Sequence, residues 1–106
     1  MVQIISDLVT VQQIVENNKY VIIDFTASWC GPCKNIAPVF EKLSNQFTNV
    51  RFIKIDVDNP NTKQLCTMCN VKSMPTFILI CEGQIINQFS GSSENQLLQM
   101  LEGTNN

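Results

Sequence analysis

The chain alternates short apolar segments with longer segments in which apolar residues recur at helical spacing. The short segments are rich in β-branched and aromatic residues, which favours strands. The sequence predicts strands at residues 2–5, 20–27, 50–58, 77–81 and 85–89. The segment 20–27 has almost no polar interruption, so we expect it to be a central strand buried on both faces.

Four segments with helical spacing lie between and after these strands. The first begins at Ser6, which we expect to cap the helix while Asp7 supplies a first-turn acid. The second is the longest and follows the central strand. The third is predicted over residues 59–71, because an Asn-Pro pair at its start suits a cap followed by a first-turn proline. The fourth is capped by Ser92 or Ser93.

The predicted order of elements is β-α-β-α-β-α-β-β-α. Alternating units place strands in parallel through right-handed crossovers, and the short loop at residues 82–84 predicts an antiparallel hairpin at one edge. With 106 residues, of which 44% are hydrophobic, the chain suits one domain. We therefore expect a single α/β domain over residues 1–106, a three-layer α/β/α sandwich with a mixed central sheet of about five strands and four helices.

Composition argues against several classes of function. The formal net charge of −2 argues against a nucleic-acid-binding protein that works through a basic face. The longest unbroken apolar run has five residues, which is too short to span a membrane. The first residues have neither the basic nor the apolar region of a signal peptide, so we expect a cytoplasmic protein.

The chain has no histidine. This excludes Ser-His-Asp and Cys-His nucleophile pairs and the zinc sites that require histidine. It also removes the usual side chain that carries protons near neutral pH. The chemistry therefore has to use cysteine, a carboxylate, lysine or the single tyrosine.

Five cysteines are present, and four of them form two C-x-x-C pairs. An odd count without a secretory signal favours a reducing compartment over a framework of disulfides. The first pair, Cys30 and Cys33, joins the central strand to the longest helix, and Gly31 and Pro32 shape the tight connection. A helix N-terminus stabilises Cys30 as a thiolate, and Cys33 lies one turn further on. This arrangement suits an attacking and a resolving thiol.

Two other interpretations of the cysteine pairs stay open at this point. A zinc ribbon also uses two C-x-x-C pairs, but here 32 residues separate them, longer than the usual gap of about 15–20. Inert thiols are the second alternative, and the neighbouring β-α-β pattern favours a redox pair over them. We therefore predict no metal site.

The hexapeptide at residues 29–34, Trp-Cys-Gly-Pro-Cys-Lys, resembles the active site of the thioredoxin family. Further motifs similar to those of that family recur along essentially the whole chain. They are Asp24-Phe25, Pro38, Asp56-Val57-Asp58, Met74-Pro75-Thr76, Gly83 and Phe89-Ser90-Gly91. The resemblance implies the thioredoxin fold, and the length and the Lys-Ser-Met-Pro-Thr-Phe stretch look more like the eukaryotic cytosolic type.

The resemblance also implies roles for individual residues. Cys30 is expected to be the nucleophile and Cys33 the resolving thiol, with Asp24 as a buried carboxylate that exchanges protons with Cys33. Pro75 is expected to follow a cis peptide bond, and Met74 to offer backbone hydrogen bonds to a substrate strand. The other residues expected in the groove are Trp29, Gly31, Pro32 and Gly91. Interpreted without this resemblance, Trp29 is a residue that covers the core and Gly91 is a glycine of a turn.

The implied reaction is the reduction of protein disulfides through a mixed disulfide, which makes the chain an electron carrier in cell redox homeostasis. An NADPH-dependent thioredoxin reductase is expected to recharge the dithiol, so no bound cofactor is needed. The expected partners are this reductase and disulfide-containing client proteins. The chain is expected to be a monomer. One alternative is a disulfide isomerase or oxidase of the same fold, whose members often carry a histidine between the cysteines. The other is a non-enzymatic zinc or interaction module.

Asp24 stands out without the family because it interrupts an apolar strand. Burial raises the pKa of a carboxyl group, which lets it carry protons near pH 7 in a protein without histidine. A salt bridge to Lys54 on the next strand is the alternative, and the two interpretations are compatible. Lys54 itself is either this partner or an exposed residue.

The second pair, Cys66 and Cys69, has i, i+3 spacing on the predicted third helix and therefore lies on one face. Some thioredoxins carry extra cysteines with regulatory roles in this region; Cys69 matches such a position, whereas Cys66 does not. Core filler is the favoured interpretation of both, and of Cys81, because buried cysteine packs like a small apolar residue.

Overall fold

Five strands form one mixed sheet through the middle of the protein. The computed structural model describes residues 1–105, and Asn106, the last residue of the predicted domain, lies outside them. The strands are β1 (Gln3–Ile4), β2 (Tyr20–Thr26), β3 (Val50–Asp56), β4 (Thr76–Cys81) and β5 (Gln84–Ser90). Their order is β1-β3-β2-β4-β5; β3 pairs in parallel with β1 and β2, while β4 pairs antiparallel with β2 and β5. The predicted mixed sheet is confirmed, and β2 is its central strand.

Helices cover both faces of this sheet. They are α1 (Leu8–Asn17), α2 (Gly31–Gln46), α3 (Lys63–Met68), which follows a 3-10 turn at Pro60–Thr62, and α4 (Glu94–Glu102). Successive residues of β2 point to opposite faces: Ile22 packs with residues of α2 and α4, and Ile23 with residues of α1 and α3. The predicted three-layer sandwich is therefore confirmed. Within residues 1–105 no helix is long and apolar enough to cross a membrane.

α1 and α4 each begin at a side-chain oxygen atom that accepts a backbone hydrogen bond. The cap of α1 is Asp7, whose Oδ1 accepts a 2.9 Å hydrogen bond from the Thr10 N–H. The predicted cap at Ser6 is wrong by one residue, because the carboxylate takes the place expected for the hydroxyl group. Hydrogen bonding with Thr10 also lowers the pKa of Asp7. At α4 the cap is Ser93, whose Oγ accepts from the Gln96 N–H at 3.2 Å.

The third helix is shorter than predicted. It ends before residue 71, because Asn70 has a φ of 55°, in the left-handed region, and terminates the helix. The N–H groups of Asn70 and Val71 donate to the carbonyls of Thr67 and Cys66 at 3.1 and 2.9 Å, which is the Schellman arrangement. Cys69 is thus the C-cap residue, so only Cys66 of the second cysteine pair lies within α3.

Several strand ends differ from the predicted ones by one or two residues, and two of these differences lie at turns. β3 ends at Asp56 instead of residue 58, where the Asp56 Oδ1 accepts a 2.9 Å hydrogen bond from the Asp58 N–H as the backbone turns. β5 begins at Gln84, so the hairpin loop has only two residues, Glu82 and Gly83. Both have positive φ, 50° and 83°, as a tight two-residue hairpin turn requires. The hairpin is confirmed with a loop one residue shorter than predicted.

Candidate active site

Cys30 and Cys33 form a disulfide at the N-terminus of α2. Cys30 is the cap residue of the helix, and the Cα atoms of the two cysteines are 5.3 Å apart. The Cys33 N–H donates to the Cys30 Sγ at 3.2 Å. This amide lies in the first turn, where free N–H groups and the helix dipole favour negative charge. After reduction the same amide is placed to stabilise a thiolate on Cys30, as the predicted role of an attacking thiol requires.

Gly31 and Pro32 are the first two residues of α2, and both are exposed. Proline fits here because its ring fixes a helical φ, and the N–H that it lacks has no partner in the first turn. A Cβ placed on Gly31 would meet no atom within 4 Å. The connection between the cysteines therefore leaves open space beside the disulfide, where another protein chain can approach.

The disulfide itself is largely covered. Cys30 and Cys33 are only 4% and 3% exposed. They pack against Ala27, Val57 and Met74. A partner therefore has to contact this apolar rim before its sulfur atom reaches Cys30.

Trp29, the residue before Cys30, lies on the surface with 66% of its area exposed. Its indole N–H donates a 2.7 Å hydrogen bond to Oδ2 of Asp58. Trp29 is therefore not core cover, and a side chain from the turn after β3 fixes its ring at the surface. Sequence reasoning missed Asp58 as a site residue, although the motif at residues 56–58 marked its neighbourhood.

The segment around Pro75 faces Cys30. The Met74–Pro75 peptide bond is cis, as the resemblance implied. The carbonyl oxygen of Met74 lies 3.6 Å from the Cys30 Sγ, and the N–H of Gly91 donates a 2.9 Å hydrogen bond to the carbonyl of Pro75. Gly91 has a φ of 111°, a conformation that glycine adopts without strain. The structure thus gathers three of the predicted groove residues on one side of the nucleophile.

Asp24 is a carboxylate inside the core. It is 1% exposed, and its Oδ1 has no hydrogen-bond partner among the described residues. Burial raises the pKa of Asp24 to about 7, while the positive charge of Lys54 acts in the opposite direction. The prediction of a buried carboxyl group with a raised pKa is confirmed.

Lys54 lies next to Asp24 in the sheet. The two residues are register partners on the parallel strands β2 and β3, and Lys54 is half-buried rather than exposed. The salt bridge considered from the sequence is not formed, because the Asp24 Oδ1 has no bonding partner among the residues that the structure describes. The positive charge of Lys54 offsets only part of the effect of burial on the Asp24 pKa. A cavity of about 250 Å³ lies against Lys54, Cys33 and Thr26, so Cys33 and this lysine line the same space.

Cys66, Cys69 and Cys81 are free and half-buried. Burial raises the pKa of the Cys66 and Cys69 thiols, and the neighbouring Cys66 raises that of Cys69 further. Both pack against the core beneath α1 and α3, which supports their interpretation as core filler.

The two C-x-x-C pairs lie on different elements, since the first opens α2 and the second closes α3. Cys30 and Cys33 are bonded to each other while Cys66 and Cys69 are free, so the four sulfur atoms are not arranged as one set of metal ligands in this structure. In the part of the chain that the structure describes, no group of three or more His, Cys, Asp or Glu side chains is placed to hold a metal ion.

Comparisons with known proteins agree with this geometry. The Thioredoxin family model matches residues 4–103. Thioredoxin from Oryctolagus cuniculus is 42% identical over 99 residues, which cover 92% of each chain. Thioredoxin-3 from Dictyostelium discoideum is 45% identical over 82 residues, which cover 77% of each chain. The solved structure of Plasmodium falciparum thioredoxin has a TM-score of 0.91 at 36% identity and covers 96% of this chain and 98% of that one.

The family match at residues 4–103 includes the elements that carry the cysteine pair and the segment facing it. The five-stranded mixed sheet with its four helices is the thioredoxin fold. The chain belongs to the thioredoxin family and is a thiol–disulfide oxidoreductase that reduces protein disulfides by dithiol/disulfide exchange at Cys30 and Cys33.

Proposed function

We propose that this chain carries electrons from an NADPH-dependent thioredoxin reductase to disulfide-containing client proteins. The observation that carries the proposal is the Cys33 N–H at 3.2 Å from the Cys30 Sγ, because it favours a thiolate at one defined end of the pair. The dithiol is itself the redox group, so the reaction needs no bound cofactor.

Client reduction proceeds in two exchange steps. The Cys30 thiolate attacks one sulfur of the client disulfide; a mixed disulfide forms, and the second client sulfur leaves as a thiolate. The Cys33 thiol then loses its proton and attacks the Cys30 sulfur, which closes the Cys30–Cys33 disulfide and releases the first client sulfur as a thiolate. Two electrons pass to the client, and its two thiolates take up protons. The reductase then returns two electrons from NADPH to the Cys30–Cys33 disulfide.

Asp24 accepts the Cys33 proton in the second step of this proposal. A group with a pKa of about 7 is partly ionised at neutral pH, so it takes up or releases a proton at little cost in free energy. The cavity of about 250 Å³ against Cys33 and Lys54, the register partner of Asp24, has room for water molecules. Lys54, which lowers the Asp24 pKa, tunes the carboxyl group towards ionisation.

Clients bind in the groove around Cys30 in this proposal. The backbone of Met74, whose carbonyl lies 3.6 Å from the Cys30 Sγ, is placed to hydrogen-bond an extended client segment. Pro75 and Gly91, joined by a backbone hydrogen bond, hold that part of the groove in place. The exposed residues on the other side of Cys30 are Trp29, Gly31 and Pro32.

The proposal places the chain in the cytoplasm as a monomer. Three cysteines besides the redox pair are free, and unpaired thiols are usual in reducing compartments. Both cysteines and the groove segment facing them come from one chain, so the reaction requires no second copy.

Reduction of insulin by NADPH, a thioredoxin reductase and this chain tests the proposal. We expect turnover with the native chain and with Cys81→Ser, and none with Cys30→Ser. Cys33→Ser should accumulate mixed disulfides with oxidised client proteins, because the second exchange step has lost its nucleophile. No turnover with a reductase that is active on another thioredoxin would contradict the electron path. Equal trapping by Cys30→Ser would reverse the assigned roles.

A further inference from the structure

A small cavity opens beside Met74 near the end of α3. Its volume is about 280 Å³. The lining side chains that matter are Val57, Lys63, Cys66, Val71, Lys72 and Met74. Two of the described residues that line the cavity are charged, and both are lysines. No carboxylate is among these lining residues.

This cavity continues the groove around the nucleophile. Met74 and Val57 line it, and the same two residues pack against the Cys30–Cys33 pair. The Met74 carbonyl oxygen lies 3.6 Å from the Cys30 Sγ. A client segment that reacts at Cys30 and runs along Met74 therefore reaches the cavity.

The positive charge of the cavity is local and does not reflect the whole chain. The protein has nine acidic and seven basic residues, for a formal net charge of −2. The nearby Asp58 carboxylate accepts the hydrogen bond from Trp29, and neither Asp58 nor Asp56 lines the cavity. Two lysines that line a cavity together with apolar side chains attract an anion more strongly than they do in open water, because the apolar side chains reduce the screening of their charge.

We propose that this cavity is a subsite for an acidic residue of the client, whose carboxylate is recognised by Lys63 and Lys72. The inference rests on the proposed function, since the client disulfide has to react at Cys30. An extended segment advances about 3.3 Å per residue, so a cavity that begins at Met74 receives a side chain within about three residues of the reacting client cysteine. The lysines then select clients with acidic rather than basic neighbours of that cysteine.

Labelling of Cys66 reports the charge in this cavity and does not depend on the activity of the protein. In a Cys69→Ser/Cys81→Ser chain, kept oxidised at Cys30 and Cys33, Cys66 is the remaining free thiol. It is labelled with an anionic sulfonatoethyl or a cationic trimethylammonium-ethyl methanethiosulfonate. Each reagent forms a disulfide with Cys66 and releases methanesulfinate. For Cys66, we expect the ratio of the anionic to the cationic labelling rate to be about three- to tenfold higher than the same ratio for a small free thiol. Added salt should reduce this preference.

Lysine variants test whether the two named side chains cause this preference. Lys63→Gln and Lys72→Gln should each reduce it. Lys19→Gln is the matched control, because Lys19 precedes β2 at the opposite end of that strand from Cys30, and it should leave the preference unchanged. Equal labelling ratios for Cys66 and the small thiol, or a preference that survives both substitutions, would overturn the proposal.

Two disulfide peptides that differ only in Glu or Gln two residues after the reacting cysteine test the link to clients. We expect kcat/KM to be about three- to tenfold higher for the Glu peptide. This advantage should disappear in the Lys63→Gln/Lys72→Gln chain, while the Gln peptide reacts as before. If neither peptide is reduced, the proposed function fails and the subsite with it. If the Glu and Gln peptides are reduced at the same rate while Cys66 still prefers the anionic reagent, the proposed function stands and the subsite is overturned.

Discussion

The indole N–H of Trp29 donates a 2.7 Å hydrogen bond to the Asp58 carboxylate at the surface of the protein. The bond joins the turn before α2 to the turn after β3. An ionised acceptor strengthens such a bond, which holds a large side chain next to the nucleophile without burying it. We therefore expect Asp58 to position Trp29.

Asp58→Ala should release Trp29 and weaken client reduction. The site is exposed, so we expect a loss of unfolding free energy of about 1 kcal/mol or less. The kcat/KM for a client disulfide should fall about two- to fivefold, because one wall of the groove is less ordered. Trp29 is the only tryptophan, so its fluorescence reports the change directly.

Asp58→Asn is the matched control for this substitution, since it keeps an acceptor oxygen at similar volume. It should retain most of the native fluorescence and rate. Identical spectra and rates for all three chains would contradict a positioning role for Asp58.

Asp24→Asn should stabilise the protein above neutral pH. The folded pKa of about 7 lies above the ordinary value of 3.8, so the folded state holds this proton more tightly than the unfolded state does. The penalty from Asp24 is absent below pH 3.8, grows as the pH rises to about 7, and is complete above that. A shift of about three units corresponds to roughly 4 kcal/mol, and asparagine, which does not ionise, avoids this penalty.

Urea midpoints at pH 4 and pH 8 and reduction rates at pH 7 check the Asp24 prediction. The variant should be more stable at pH 8, about equally stable at pH 4, and slower in exchange because Cys33 has lost its proton acceptor. Lys54→Gln is the companion variant, and it should raise the Asp24 pKa further by removing the charge that opposes burial. An Asp24→Asn chain that is less stable at pH 8 would show that Lys54 holds the carboxylate ionised. Unchanged rates would remove Asp24 from the mechanism.

Cys30 should be the first thiol alkylated after reduction at pH 7. Solvent exposure alone predicts the opposite order of alkylation, because Cys66 and Cys69 are half-buried whereas Cys30 is only 4% exposed. Ionisation argues for Cys30, since the Cys33 amide favours its thiolate and burial raises the pKa of the other two thiols. Brief iodoacetamide treatment and mass spectrometry decide between them. Preferential labelling of Cys66, Cys69 or Cys81 would show that access outweighs ionisation.

Cys66 and Cys69 should form a second, slower disulfide under strong oxidation. Helical geometry continues to Cys69, whose N–H donates to the Leu65 carbonyl at 3.0 Å. The two Cα atoms therefore lie roughly 5 Å apart, inside the range for a disulfide. The raised pKa of both thiols makes the reaction slow. Peptide mapping after diamide treatment should show this link beside Cys30–Cys33, whereas two unreacted thiols there would favour core filler.

The sheet and its helices could be predicted because their signals are local. The residues of β2 are almost all apolar, so few of them would be stable in contact with solvent. This pattern predicts that β2 is a central strand of the sheet. The N-terminal position of Cys30 on α2 follows in the same way, because Pro32 marks the first turn of a helix.

The features that sequence reasoning missed depend on single conformations or on tertiary distance. The end of α3 depends on the left-handed conformation of Asn70, which residues other than glycine adopt rarely. The bond from Trp29 to Asp58 depends on how two turns meet in space, and no spacing along the chain encodes it. The cis bond before Pro75 was expected, but only through the family resemblance, since bonds to proline are cis in about 5–6% of cases.

One sulfur atom is both the cap of α2 and the reacting atom of Cys30. Each change in the bonding of this sulfur therefore also changes the hydrogen bond that begins the helix, so the progress of the reaction is coupled to the stability of α2. This coupling decides how an inactive variant should be made. Serine is among the preferred cap residues, whereas alanine at a cap costs about 1 kcal/mol. Cys30→Ser removes the chemistry and keeps a capping group, while Cys30→Ala would mix the loss of reaction with a weakened helix.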